Sequence, residues 1–158
     1  EYLDVHEGID YSFNDDDQNI ITVQERFREA KYSHYNDFTL RYRRDYNRHD
    51  SRKESEFYKI KANYHVYGII DTSKNNYQNA TNFIKFVVID LKKIFNLISE
   101  KKIIIENRKD IRCIIEKNSL ICPVNHNRDG SSSFVPFDIL LLHKLFEDEL
   151  FILQKGYF

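Results

Sequence analysis

The chain predicts a mixed α/β domain of the α+β kind, a central, mostly mixed β-sheet flanked by helices. Three observations predict it. Two apolar runs of strand length, residues 64–70 and 83–89, lie near the middle of the 158 residues. Stretches of helical period, residues 91–100 and 137 onward, follow them. Gly (4) and Pro (2) are so scarce that turns must be made by Asn, Asp and Ser. This length suits one domain with a substantial core.

Taken in order, residues 1–20 carry seven acids (Glu1, Asp4, Glu7, Asp10, Asp15, Asp16, Asp17) and no Lys or Arg. They read as an acidic, loosely ordered N-terminal segment ahead of a single α/β domain over 21–158. Thr22-Val23-Gln24-Glu25 has the Thr-x-x-Glu form of a capping box. It predicts a helix to about residue 32 with Val23, Phe27 and Ala30 inward. Residues 38–43 alternate apolar and polar, as a half-buried strand does, with Thr39, Arg41 and Arg43 on its wet face. A polar loop over 45–52 leads to a helix over 51–61, with Phe57 and Ile60 packed. The run 83–89 is apolar on both faces apart from Lys85, which predicts a central strand. Asp90 is placed to cap the helix that follows. Residues 102–106, 111–116 and 119–124 are short β-type runs, 125–133 a loop, and 137 onward a helix with Ile139, Leu142 and Phe146 on one face.

Hydrophobic residues make up 41% of the chain, and 12 Phe with 11 Tyr predict an aromatic core. A charged fraction of 31% and a mean hydropathy of −0.62 argue against a membrane-spanning chain. No apolar run approaches the roughly 20 residues a spanning helix needs. The acidic start carries no secretory signal, and the lack of any Met points to a processed or truncated chain. An intracellular, cytoplasmic location is expected. Cys113 and Cys122 are too few for a disulfide scaffold. If Lys117-Asn118 forms a two-residue turn, they fall opposite each other, since 113 + 122 = 117 + 118. A cross-strand bridge or a pair of packed thiols would both fit, and reduced thiols are expected inside a cell.

Charge is uneven. Beyond residue 20 the chain holds 24 basic residues and 25 − 7 = 18 acidic ones, a net +6 against −1 for the whole. Arg41, Arg43 and Arg44 alternate with Tyr42 and Tyr46. Guanidinium forks grip phosphates and tyrosine faces stack on bases, so this segment reads as a nucleic-acid-binding surface. A protein partner with an acidic face is the alternative, and exposed Tyr and Phe driving self-association is a third.

Both central runs end on an acid: residues 64–70 lead to Asp71, and residues 83–89 lead to Asp90-Leu91-Lys92. Hard cations want carboxylate oxygens, and a nearby ammonium can steady an attacking water. A helix, a strand ending near Asp, then a strand carrying acid-x-Lys resembles the core of the PD-(D/E)xK, or restriction-endonuclease-like, nuclease superfamily over about residues 51–100. The resemblance implies metal-dependent nucleic-acid cleavage with Mg²⁺. Asp71 would be the first metal ligand, Asp90 the acid and Lys92 the lysine of the acid-x-Lys pair, and Glu56 the acid on the preceding helix. Ile70, where the signature has Pro, precedes Asp71. The alternative is a non-catalytic interaction protein, viral or phage-derived, that binds a partner through its basic face. A second candidate is the polar loop 123–133, with His126 as a general base and Asp129 to orient it.

Overall fold

The structure, a computed structural model, describes residues 9–44, 57 and 60–158. The mixed α/β content expected from the sequence is present, with most regular structure in strands. A five-stranded mixed sheet is formed by β1 (Tyr11–Asn14), β2 (Ile20–Arg28), β4 (Tyr64–Ile70), β5 (Phe83–Asp90) and β11 (Phe151–Lys155), in that order. β2 and β4 are parallel, and every other neighbouring pair in this sheet is antiparallel. A second sheet places β10 (Ser132–Asp138) between β3 (Asp37–Arg44) and β9 (Asn125–His126). A third places β8 (Ser119–Pro123) between β6 (Ile103–Glu106) and β7 (Ile114–Glu116). Two helices are α1 (Leu91–Ser99) and α2 (Ile139–Phe146). Among the described residues no helix is long and apolar enough to cross a membrane.

The residues expected to open a helix at Thr22 instead form β2. Its start, Ile20-Ile21-Thr22-Val23, is β-branched throughout, which favours an extended backbone. The strand is then fixed on both sides, by β1 (Tyr11↔Val23) and by β4 (Gln24↔His65). A local capping signal yields to two ladders of backbone hydrogen bonds. Of the N-terminal segment expected to be loosely ordered, Tyr11–Asn14 form β1, and residues 1–8 lie outside the described residues. The helix expected over 51–61 lies mostly outside the described residues, although Phe57 and Ile60 pack against the core as expected. The loop expected over 125–133 contains β9 and the start of β10, and a terminal strand, β11, follows α2.

The core lies between the first two sheets. On β4 and β5, His65, Tyr67, Val87 and Ile89 are buried and meet the layer of Phe38, Leu40, Val135 and Phe137 on β3 and β10. Phe38 and Phe137 are register partners with rings stacked at 4.8 Å and 11°. This layer also buries Thr39, at 4% exposure, and Arg26 Nη1 donates to its carbonyl at 3.4 Å. Thr39 therefore leaves the wet face expected for it. Asp90 and Asp138 cap α1 and α2, accepting from Lys93 N (3.1 Å) and Leu141 N (2.9 Å).

Candidate functional site

Asp71 and Asp90 do not share a site. β4 and β5 are antiparallel, with Tyr64 opposite Asp90 and Ile70 opposite Phe83. Asp71 follows the end of β4 and Asp90 ends β5, so their carboxylates sit at opposite ends of the ladder. At ~3.3 Å per residue they are on the order of 20 Å apart. Two strands that both finish on Asp bring them to one rim only if they run parallel. No single cation can be held by both, and the expectation of Mg²⁺ between them is corrected on that ground.

Each of these side chains has a local task. Asp71 takes Thr81 N (3.2 Å) and Thr81 Oγ1 (2.7 Å), closing the turn-rich link between β4 and β5. The Thr81 hydroxyl holds its carboxyl below the usual carboxylate range. Asp90 caps α1, which puts Lys92 in the first turn, exposed. Glu56 lies outside the described residues. Asp129 accepts both Ser131 N (2.9 Å) and Ser131 Oγ (2.7 Å) at Oδ1, so it locks its own turn. His126 is exposed at the β9–β10 pairing, opposite Ser133.

The basic strand is only partly available. Arg43 is exposed and Arg41 half-buried on β3, and Arg44 ends that strand. Tyr42 packs its ring against Phe57 at 5.2 Å, part of the core periphery, so its face is covered rather than offered to a base.

The β1–β2 hairpin does bring two acids together. Asp10 N donates to Val23 O (2.9 Å), and Asp10 Oδ2 accepts from Glu25 N (2.6 Å). An acid at the start of one strand and an acid late in its antiparallel neighbour arrive at the same end. Glu25 is half-buried. Burial pushes the Tyr11 hydroxyl up to about 12, helped by its hydrogen bond to Glu25 and the charges of Glu25 and Asp10. The turn between the strands is closed by Asp15, whose carboxylate accepts from Asp17 N (3.0 Å), Asn19 N (2.8 Å) and Asn19 Nδ2 (3.1 Å). Inward-facing Gln24 and Arg26 flank Glu25, and Gln24 pairs with buried His65 of β4.

Asp10 and Glu25 were not singled out by sequence reasoning. The helix reading of 22–32 placed Glu25 on a helix and left Asp10 in an acidic tail. The signal that could have found them is the hairpin pattern itself, an apolar run on either side of an Asn/Asp-rich turn. Among the described residues no three of His, Cys, Asp and Glu gather into a metal cage. No family model, curated protein or solved structure matches the chain.

Proposed function

We propose that the chain is a nucleic-acid-binding domain of nuclease-like fold, whose metal-dependent chemistry is centred on Asp10 and Glu25. The observation that carries this reading is that Asp10 Oδ2 accepts from the Glu25 backbone N–H while both carboxylates act on the Tyr11 hydroxyl. The resemblance to the PD-(D/E)xK superfamily concerns residues 51–100 and does not reach β1–β2, so the metal reading of Asp10 and Glu25 rests on their own placement. The oxygen donors suit Mg²⁺, which takes one or two protein carboxylates and keeps several waters. When bound, the ion would polarise a scissile phosphate and lower the pKa of an attacking water. Asp10 and Glu25 would hold it, and Tyr11, hydrogen-bonded to Glu25, fixes that carboxylate. Phe27 stands two residues beyond Glu25, so β2 departs from the acid-x-Lys spacing, and Arg26 is the nearest cation on the strand.

The test is thermal stability during a Mg²⁺ or Mn²⁺ titration. In the parent, metal at about 100-fold over its Kd adds roughly 2.7 kcal/mol, a rise of several degrees. Asp10→Asn and Glu25→Gln abolish the rise and the cleavage of DNA substrates. Asp90→Ala keeps the metal response while losing about 1 kcal/mol through its helix cap. A parent that shows no shift, with or without a DNA oligonucleotide present, sinks the reading. A response lost on replacing Asp90 but not Asp10 would return the metal to β5.

A further inference from the structure

Beyond β2 the chain turns through a short 3₁₀ segment, Ala30–Tyr32, and enters β3 at Asp37. This turn gathers aromatic rings around cations. The Arg28 guanidinium lies 5.3 Å from the Tyr32 ring centroid, 5.8 Å from that of Tyr35 and 5.8 Å from that of Tyr67. Lys31 Nζ lies 5.0 Å from the Tyr32 ring. His34 and Tyr35 pack ring to ring at 4.2 Å, and Tyr35 remains 47% exposed. A large aromatic ring normally gains by leaving water. Here one stands half in solvent on a scaffold that cannot fold it inward.

The scaffold is rigid for identifiable reasons. Lys85, only 5% exposed, donates from Nζ to the Tyr35 carbonyl and to Asn36 Oδ1, the latter at 3.1 Å. Ala30 N donates to Thr72 O (3.0 Å), and Ile139 N to Asn36 O (2.8 Å). Both ends of the turn are therefore tied to the body of the protein. Pre-organised rings lose little freedom on binding, which is what a stacking surface needs. Around them Arg28, Lys31, Lys74 and Lys85 match the carboxylates Glu29, Asp37, Asp71 and Asp138 in number, Asp138 standing opposite Asp37 in the β3–β10 register. Arg28 meets Asp37 only at 3.8 Å, and Glu29 pairs with Lys31 at 3.3 Å.

We propose that the turn from Arg28 to Tyr35 is a stacking platform for unpaired bases of a single-stranded nucleic acid. His34 and Tyr35, packed on each other and both exposed, offer the outer surface of that ring pair to a base, and Arg28 and Lys31 attract the phosphates between the bases. Peptide recognition would call for a dry groove between the rings, whereas these rings lie over cations. The proposal rests on the nucleic-acid reading above and extends it to the form of the substrate.

The experiment is fluorescence anisotropy with the full chain and a labelled oligothymidylate roughly 12 nucleotides long, within the footprint of such surfaces. Chelator is present so that no metal contributes. Tyr35→Ala weakens binding about tenfold, Tyr35→Leu weakens it comparably, and Tyr35→Phe binds as the parent does. The slope of log affinity against log salt stays unchanged in all three, because stacking displaces no counterions. Melting temperatures of the variants establish that they are folded. A Tyr35→Ala protein that binds like the parent overturns the proposal, and so does a parent that binds duplex but not single strands. Platform binding is read in chelator and the metal response by melting without nucleic acid, so failure of one is distinguished from failure of the other.

Discussion

His65 sits fully buried on β4, its ring 5.8 Å from Phe38 and 5.9 Å from Tyr67. Burial pushes its pKa down to about 3, the Arg26 charge adds to the fall, and a polar contact from the Gln24 backbone opposes it weakly. The folded protein therefore holds His65 neutral, while the unfolded chain protonates it near pH 6.5. Between those two values the unfolded state binds more protons, so stability is complete above pH 6.5 and falls as pH drops toward 3. The slope approaches ~1.4 kcal/mol per pH unit well below 6.5. His65→Phe keeps an aromatic ring in the layer and removes the titration. Denaturant melts from pH 7 to 4 should give a flatter acid limb for the variant. Parallel limbs would assign the acid sensitivity to other groups.

At the scale of elements, the turn between β7 and β8 shows what local chemistry specifies. Glu116 pairs with Ser119 and Ile115 with Leu120, so Lys117 and Asn118 form the expected two-residue turn. Both have positive φ, 48° and 65°. That combination marks a type I′ turn, which Asn-Gly fits better than Lys-Asn. Replacing the pair by Asn-Gly should stabilise the protein by about 0.5–1 kcal/mol in urea melts, with an unchanged m-value. The elements legible in the sequence are of this kind. β4, β5, the Asp90 cap and this hairpin each rest on signals a few residues wide. β2 was not legible, because Thr22 to Glu25 carries a sound helix-start signal and its strand partner β4 begins some forty residues later. β11 was hidden behind an apolar run that continues from α2, where Glu147 turns the chain at φ 54°. The paired acids suffered most. Their spacing along the chain was visible, but the relative direction of β4 and β5 decides whether they meet, and no residue near Asp71 or Asp90 encodes that direction.

On the scale of the whole molecule, two of the three sheets meet at a pair of thiols. Cys113 and Cys122 face each other across the β7–β8 register with Sγ atoms 3.8 Å apart, and Cys113 Sγ also donates to Pro136 O of β10 at 3.2 Å. Both are free. The hydrogen bond to Cys122 lowers the Cys113 thiol, while that same bond and burial raise Cys122. Cys113 is therefore the thiolate that attacks when an oxidant such as diamide is supplied. The product is a disulfide across a loop of ten residues, with the diazene reduced to its hydrazine. Closing such a loop constrains the unfolded chain by about 2.5 kcal/mol. Thiol titration should fall from two groups to none, the mass should drop by the two thiol hydrogens, and the unfolding midpoint should rise. Cys113→Ser should show neither change; a midpoint that falls on oxidation would mean that the bond strains the joint between sheets. The pair also keeps a record of residence. Acid-quenched protein recovered from its source, alkylated before any exposure to air, would carry the imprint of the last redox environment it equilibrated with. Two alkyl groups would mark a reducing compartment and none an oxidising one.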